Sequence, residues 1–279
     1  MARLRFTKMH GIGNDYVYVD CFAQRVVDPG ALARRVSPRQ TAIGADGVIL
    51  IGPSSVADCR MEMYNADGSR GEMCGNGIRC VGKYVYEHGH VRDTALRVET
   101  DAGIKHLALR VTAGRVEAVT VDMGEPILDG PRIPAAAEGQ IISAPLDVNG
   151  DTHHITCVSM GNPHCVVFVS DVEQLALATI GPQFENHPFF PKRVNTEFVR
   201  AVNRQTLRMR VWERGSGETA ACGTGACAVV VAAVLNQKSE RRARVLLNGG
   251  ELDIEWRAAD NHVEMTGPAE EVFTGEIEV

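Results

Sequence analysis

The feature that most constrains this chain is a duplication of its sequence at one fixed offset. The segments GEMCGNGIRC, from residue 71, and GETAACGTGAC, from residue 217, each set a cysteine beside Gly-X-Gly. The two cysteines, Cys74 and Cys222, lie 148 positions apart. The same offset relates two further pairs of segments: Gly13-Asn14 with Gly161-Asn162, and Tyr64-Asn65 with Trp212-Glu213. Three segments in one register indicate two similar halves, and two copies are too few for a solenoid, so we expect a pseudo-symmetric pair of domains.

Short apolar runs rich in Val, Ile and aromatic residues recur along both halves and predict strands. They include NDYVYVD, DGVILIG and ALRVET in the first half, and CVVFVSD, LRMRVW and LDIEW in the second. Helical patterns are few: PGALARRVS with Asp28 as N-cap, DVEQLALATIGPQF, and the segments GIRCVGKYVYEHG and GACAVVVAAVLNQ that begin at the cysteine motifs. The last of these is apolar on every side, as in a helix enclosed by a sheet. Each half is therefore predicted to be curved β-structure around one central helix.

The segment GEPILDGPRIPAAAEG is rich in Gly, Pro and Ala and predicts the linker region between the halves. We expect one domain at 1–122 plus 268–279 with Cys74, and the other at 123–267 with Cys222. The active site is expected in the cleft between them.

Composition excludes several classes of function. The chain has 279 residues, of which 44% are hydrophobic, enough for a sizeable core. A net charge of −6 without a Lys/Arg block gives no reason to expect a nucleic-acid partner. No apolar run reaches the roughly 18 residues that a membrane helix needs. The N-terminal sequence has no apolar secretory segment, so we expect a cytoplasmic protein without a membrane partner.

Eight cysteines raise the question of disulfides or a metal site. Since the chain is neither short nor visibly exported, reduced thiols are the expected state. The closest cysteine pairs are spaced C-x5-C and C-x4-C, unlike the C-x2-C spacing of most structural zinc sites. We therefore expect no metal.

Each cysteine motif begins a predicted helix, where unpaired N–H groups and a partial positive charge stabilise a thiolate. Such a position can lower the pKa of a cysteine into the range of about 3.5–7.5. The flanking glycines let a ligand approach the backbone closely and leave N–H groups free for an anion. One copy would predict a nucleophile. Two copies predict a pair of acid/base groups on opposite faces of one carbon.

The remaining cysteines are expected to be small core residues, the usual state of a free thiol. They are Cys21, Cys59, Cys80, Cys157, Cys165 and Cys227. A single histidine such as His164 is more often structural, but its place beside the repeat-paired Asn162 makes it a site candidate. Glu213 and Arg214 could form a surface ion pair, although the repeat relation of Glu213 to Asn65 favours a place in the site.

Several common enzyme classes lack their motifs. The chain has no GxGxxG after a strand and no GxxxxGK[ST], so dinucleotide-binding and P-loop functions have no support. A cysteine protease needs one nucleophile and a histidine base, which would leave the second copy of the motif unexplained.

Five segments resemble the diaminopimelate epimerases over nearly the whole chain: HGIGNDYVYVD, YNADGSRGEMCGNGIRC, SMGNPHCVVFV, VNTEF and WERGSGETAACGTGAC. Proline and hydroxyproline racemases share the fold and the paired cysteines, but their first motif typically reads Cys-Gly-His and their second follows a proline. Asn76 and Ala221 stand at those positions here. The resemblance implies an α+β fold of two pseudo-symmetric domains, each a curved, mostly antiparallel β-barrel or sheet around a central helix.

The resemblance also implies an activity: a cofactor-independent two-base transfer of a proton that interconverts LL- and meso-diaminopimelate, a step toward lysine and peptidoglycan. Cys74 and Cys222 would be the acid/base residues, with His164 and Glu213 beside the reacting centre. The reacting carboxylate would lie on the backbone of Gly75, Asn76, Gly223 and Thr224. The distal end would be held by Asn65, Asn162, Asn195 and Arg214, with Asn14 near the same pocket. The family further implies a homodimer.

One position departs from the family pattern. Many members have glutamine where this chain has Gly47, the repeat equivalent of Asn195. We expect a water or a neighbouring side chain to take that place. Glutamine at Gly47 is expected to leave activity within about tenfold, unless the glycine has a positive φ angle. Two alternatives to the epimerase remain at this point: a racemase for another amino acid, such as a proline derivative, and a non-catalytic thiol- or metal-binding protein.

Overall fold

The computed structural model describes residues 3–278. The chain divides by its internal contacts into two compact units, Met1–Val121 with Thr266–Val279, and Asp122–Met265. The first strands in chain order are β1 (Arg3–Gly11), β2 (Asn14–Asp20), β3 (Gly47–Gly52), β4 (Cys59–Asn65), β5 (Arg70–Gly71), β6 (Ala95–Thr100), β7 (Gly103–Thr112), β8 (Arg115–Asp122) and β9 (Ala144–Val148). They are followed by β10 (Asp151–Ser159), β11 (Pro163–Phe168), β12 (Asn195–Asn203), β13 (Thr206–Glu213), β14 (Gly217–Glu218), β15 (Arg242–Leu247), β16 (Gly250–Trp256), β17 (Val263–Gly267) and β18 (Glu270–Glu278). The α-helices within residues 3–278 are α1 (Pro29–Val36), α2 (Gly75–Glu87), α3 (Leu177–Glu185) and α4 (Gly223–Leu235).

The two units repeat the same order of elements at the offset seen in the sequence. Strands β1 and β10 begin at residues 3 and 151, and helices α2 and α4 begin at residues 75 and 223. Strand pairing repeats as well. In the first unit β1–β2 is antiparallel, β2–β3 parallel, β3–β4 antiparallel and β4–β6 parallel. In the second unit β10–β11, β11–β12, β12–β13 and β13–β15 follow the same sequence of directions. The predicted fold class is confirmed.

One helix lies at the centre of each unit because its surface is apolar where strands surround it. In α2 the stripe of Ile78, Val81 and Val85 is fully buried. The helix packs on β1, β2, β4 and β7. Helix α4 is apolar on all sides and packs on β10, β11, β12, β13, β15 and β16. No helix within residues 3–278 is both long and apolar enough to cross a membrane.

Helix α3 begins later than the sequence pattern predicts. The prediction started at Asp171, whereas the helix starts at Leu177. The guanidinium of Arg210 in β13 donates hydrogen bonds to the carbonyl oxygens of Val172, Glu173 and Leu175 at 3.0–3.3 Å. Because those carbonyl oxygens accept hydrogen bonds from a side chain, the segment before Leu177 does not form the backbone hydrogen bonds of a helix.

The segment predicted as a linker is part of the second unit. Gly130–Arg132 forms a short 3₁₀-helix, and Ile133 and Ala135 are 0% and 7% exposed within that unit's core. Residues 124–139, which we expected to be the linker region, directly follow the boundary at residue 121 and lie within the second unit.

Candidate active site

In the first unit, Cys74 is the N-cap of α2, with extended backbone angles just before the first helical turn. Its Sγ accepts a hydrogen bond from Gly77 N at 3.4 Å and donates one to Asn14 Oδ1 at 3.2 Å. The amide group of Asn14 is held from its other side, because Nδ2 donates to Asp46 Oδ2 at 2.6 Å. The turn of Ile12 and Gly13, both at positive φ, places Asn14 at the start of β2. Asn14 and Cys74, both singled out by the sequence repeat, are therefore hydrogen-bonded to each other.

Desolvation raises the pKa of Cys74 above its usual value. The backbone N–H groups of Gly77 and Asn76, the Tyr16 side chain and the Arg79 guanidinium all act in the opposite direction, because each stabilises the thiolate. Burial also raises the pKa of Tyr16 well above its usual value, so this phenol is neutral and can donate a hydrogen bond to the thiolate.

In the second unit, Cys222 is the N-cap of α4 and is 5% exposed. Its Sγ lies 3.6 Å from Thr224 Oγ1, and Asn162 Nδ2 donates to the same hydroxyl oxygen at 3.2 Å. His164 Nε2 lies 3.0 Å from Asn162 Oδ1. The predicted residues Asn162, His164, Cys222 and Thr224 thus form one connected group.

Burial raises the pKa of Cys222 well above its usual value, and the carboxylates of Glu213 and Glu197 raise it further. The hydroxyl of Thr224 has the opposite effect. Burial also raises the pKa of Glu213, whose Oε1 accepts a hydrogen bond from Thr219 Oγ1. Cys74 therefore has cationic and donor neighbours, whereas Cys222 faces two acids.

The expectation of a lowered pKa at the two cysteines was wrong, because the pKa of each is raised overall. The backbone N–H groups do favour the Cys74 thiolate, but desolvation is the larger effect at both cysteines. Removing a thiolate from water costs more free energy than the partial charge of one helix end returns.

The other predicted residues are placed as follows. Gly75 and Gly223 are the first residues of α2 and α4, with Asn76 and Thr224 next to them. The Asn76 side chain is 3% exposed, and its Oδ1 accepts a hydrogen bond from the Arg79 guanidinium at 3.0 Å. Asn65 Nδ2 donates to Ser69 Oγ at 3.0 Å within a turn.

The side chain of Asn195 contacts the backbone N–H of Arg214, not the Arg214 side chain. Asn195 is 4% exposed, its Nδ2 donates to Pro163 O at 3.1 Å and its Oδ1 accepts from Arg214 N at 2.8 Å. The exposed Arg214 guanidinium donates to Lys192 O at 3.0 Å. Asn195 therefore holds the backbone of Arg214 in place.

The structure gives a reason for glycine at position 47 that the sequence did not reveal. A Cβ at Gly47 would lie 2.1 Å from the Tyr64 carbonyl oxygen and 3.1 Å from Asn65 Cα, because β3 and β4 approach closely there. The φ angle of Gly47 is not among the positive ones. The exception that the expectation allowed, a positive φ angle, therefore does not apply, and the tolerance of glutamine at this position stays a prediction that the close backbone contact makes unfavourable.

Sequence reasoning missed Tyr16 and Glu197. Tyr16 is the repeat equivalent of His164, so applying the offset to His164 would have identified it. Glu197 lies inside the quoted segment VNTEF, where alternation within a strand gives no signal for a buried carboxylate. Within residues 3–278, no three His, Cys, Asp or Glu side chains are grouped so that they could hold a metal ion.

Known proteins resemble this chain over most of its length. The sequence model of the family described as diaminopimelate epimerase matches residues 6–128 and 156–272. A diaminopimelate epimerase of Acetivibrio thermocellus is 56% identical over 277 residues, which cover 99% of each chain. One from Desulfovibrio desulfuricans is 56% identical over 280 residues, with 98% of each chain covered.

Among solved structures, a hydroxyproline epimerase from Agrobacterium vitis superposes with a TM-score of 0.71 at 15% identity, covering 99% of this chain and 91% of the other. At that identity the likeness concerns the fold alone. The family match and the two curated relatives carry the assignment: the chain belongs to the diaminopimelate epimerase family.

Proposed function

We propose that this protein interconverts LL- and meso-2,6-diaminopimelate by moving one proton at one carbon, without a cofactor, in the biosynthesis of lysine and peptidoglycan precursors. Relatives that bear the name diaminopimelate epimerase support the substrate. The single observation that carries the chemistry is the cysteine that caps the central helix of each unit, Cys74 on α2 and Cys222 on α4.

Inversion at a carbon needs a base on one face and an acid on the other. In our proposal, the thiolate of one cysteine takes the α-proton, and the thiol of the other delivers a proton to the opposite face of the carbanion. The first cysteine ends as a thiol and the second as a thiolate, so protons and charge balance. The reverse direction exchanges the two roles.

The α-carboxylate must be held while the α-carbon carries negative charge. We propose that backbone N–H groups of Gly75-Asn76 and Gly223-Thr224 hold it at the positive ends of α2 and α4. His164 and Glu213 would lie beside the reacting centre, with Glu213 facing the substrate ammonium. The ammonium would bring a positive charge close to thiols whose pKa is raised in the free protein, and so favour a thiolate once substrate is bound.

The distal ammonium and carboxylate would be read by polar side chains of both units. We propose Asn65 and Asn14 from the first unit, and Asn162, Asn195 and Arg214 from the second. Asn195 would act in part through its hydrogen bond to the backbone N–H of Arg214.

Three further expectations stay proposals: domain boundaries at 1–122 plus 268–279 and at 123–267, a homodimer, and a cytoplasmic location. Free thiols at all eight cysteines are consistent with a reducing compartment. Light scattering on the purified protein at several concentrations would test the dimer, which a monomer mass throughout would exclude.

Proton NMR in deuterium oxide tests the reaction directly. LL-diaminopimelate, proline and hydroxyproline would be supplied separately, and the α-proton signal of each followed with time. We expect loss of the α-proton signal and formation of the meso isomer with diaminopimelate only. Exchange of proline or hydroxyproline but not diaminopimelate would favour the other racemase, and metal analysis of the inactive protein would test the metal-binding alternative.

A further inference from the structure

Glu197 in β12 is a fully buried carboxylate beside the proposed site. Both Glu197 and His164 are 0% exposed, and Glu197 Oε1 lies 2.7 Å from His164 Nδ1. Glu197 Oε2 has no hydrogen-bond partner among residues 3–278. A buried carboxylate oxygen without a partner is unfavourable for folding, so such groups are rare and call for an explanation.

The carboxylate of Glu197 lies against the first turn of α4. A Cβ at Gly225 would come 2.6 Å from Glu197 Oε1, so glycine leaves the room that the carboxylate occupies. In the first unit the equivalent contact is apolar, since a Cβ at Gly77 would lie 2.6 Å from Ile49 Cδ1. Ile49 is the repeat equivalent of Glu197.

The same comparison applies to the neighbouring residue. Tyr16 is the repeat equivalent of His164, so an uncharged Tyr16 and Ile49 in the first unit correspond to His164 and Glu197 in the second. The backbone of the two units repeats, but the side chains at these two positions differ. A buried histidine and glutamate lie beside Cys222, and their repeat equivalents beside Cys74 are uncharged.

A continuous chain of polar contacts joins Glu197 to Cys222. It runs from Glu197 to His164 at 2.7 Å, to Asn162 at 3.0 Å and to Thr224 at 3.2 Å. Thr224 Oγ1 then lies 3.6 Å from Cys222 Sγ. Both ring nitrogens of His164 therefore contact oxygen atoms, Nδ1 that of Glu197 and Nε2 that of Asn162.

We propose that Glu197 is a positioning residue for the epimerisation, which holds the His164 ring and, through Asn162 and Thr224, the first turn of α4 that carries Cys222. The proposal rests on the proposed function. Titratable groups that face Cys222 are Glu213 from β13 and Glu197 from β12, with His164 of β11 bonded to Glu197. Negative charge from the two acids opposes ionisation of Cys222. In the first unit, the repeat equivalent of Glu197 is the uncharged Ile49.

The test compares Glu197→Gln with the unmodified protein. Glutamine keeps the size of the side chain and an acceptor for His164, but removes the charge. Alkylation of each cysteine by iodoacetamide would be followed by mass spectrometry from neutral to alkaline pH, together with kcat and KM for both isomers. The alkylation midpoint is the pH at which alkylation of a cysteine is half-maximal. We expect the alkylation midpoint of Cys222 to move to lower pH and that of Cys74 to remain unchanged. We expect kcat to fall roughly tenfold to a hundredfold, with KM within about twofold, because an orienting contact is weakened.

Two further variants complete the design. Glu185→Gln removes another buried carboxylate of the same unit, one that accepts from Trp212 Nε1 at 2.7 Å, and should leave the Cys222 midpoint in place. Glu197→Asp keeps the charge but shortens the reach to His164, so the midpoint should stay and kcat should fall. If Glu197→Gln does not fold, Glu197→Asp still decides, since full kcat in that variant would overturn the positioning role.

Unchanged kcat and an unchanged Cys222 midpoint in Glu197→Gln would also overturn it, provided that the unmodified protein epimerises diaminopimelate. If the unmodified protein shows no epimerisation, the proposed function fails instead. The alkylation midpoints would still report whether Glu197 acts on Cys222, so the two failures are distinguishable.

Discussion

Gly47 in β3 lies so close to Tyr64 in β4 that a Cβ at residue 47 would be 2.1 Å from the Tyr64 carbonyl oxygen. The neighbour is backbone at the end of the β3–β4 pairing, where Gly47 lies opposite Asn65, so it cannot move aside without disturbing that pairing. Gly47→Ala should therefore lower the free energy of unfolding by about 1–3 kcal/mol, the usual cost of overpacking. Urea unfolding measures this.

Gly52 in the same strand provides the matched control for Gly47→Ala. A Cβ at Gly52 would meet only Cys21 Cβ, at 3.5 Å, which is ordinary contact. Gly52→Ala should therefore change stability much less. Equal stability of the two variants would contradict the steric account of Gly47.

Replacing either proposed acid/base residue should stop epimerisation. Cys74→Ala and Cys222→Ala each leave one face of the carbon without a proton donor or acceptor, so inversion cannot be completed. The remaining thiol can still exchange the α-proton of one isomer with solvent, and NMR in deuterium oxide would detect this. Cys21→Ala serves as the control, because Cys21 lies outside the proposed site. Epimerisation near the unmodified rate in either site variant would refute the two-base mechanism.

Alkylation of the two cysteines should depend differently on pH. Burial raises the pKa of both, and Glu213 and Glu197 raise that of Cys222 further, so Cys74 should react first as pH increases. The folded state holds these protons more tightly than the unfolded chain does. The stability they contribute is therefore complete below the usual thiol pKa of about 8.5 and is lost as pH rises above it. Reaction of Cys222 at lower pH than Cys74 would show that the carboxylates do not control it.

Activity should show a bell-shaped dependence on pH, since the active form holds one proton between two thiols. Below the lower limit both cysteines are thiols, and above the upper limit both are thiolates. The limits of kcat/KM belong to the free protein, where burial raises the pKa of both cysteines, so the maximum should lie on the alkaline side. A maximum below neutral pH would contradict this assignment.

Asn195 and Arg214 should separate support of the fold from recognition of the substrate. Asn195→Ala removes buried bonds to Pro163 O and Arg214 N, and should cost about 1–3 kcal/mol of stability. It should also lower kcat/KM for diaminopimelate by roughly tenfold to a hundredfold. Arg214→Ala alters an exposed side chain, so it should reduce kcat/KM without a comparable loss of stability. If Asn195→Ala weakens the reaction of a short amino acid as much as that of diaminopimelate, Asn195 does not read the distal end.

The repeat explains why so much of the fold followed from sequence. Residues with strong patterns, such as those of β6 and α4, occupy the predicted elements, and the offset relates one half to the other. Strands β1 and β18 were missed, although apolar and charged residues alternate in both, as at Arg3, Arg5, Glu276 and Glu278, which is a strand pattern. Their pairing is a contact between the two ends of the chain, which no local pattern shows.

The site was predicted less completely, for two physical reasons. The direction of the cysteine pKa depends on how far desolvation outweighs the N–H donors, and burial at a helix end is set by tertiary packing. Glu197 was missed because a charged residue within a strand is usually exposed, and only the approach of Gly225 accommodates this one inside the core.

The pairing of β1 with β18 has a consequence for synthesis of the protein on the ribosome. The first strand of the first unit pairs along its length with the final strand of the chain, from Arg3 with Glu278 to His10 with Glu270. The second unit, by contrast, is one continuous stretch of sequence, Asp122–Met265. Domains generally fold as units while the chain emerges from its N-terminus. Here the unit whose first strand is translated first completes its sheet only after β18 has been synthesised, whereas the second unit is able to fold before β18 emerges from the ribosome.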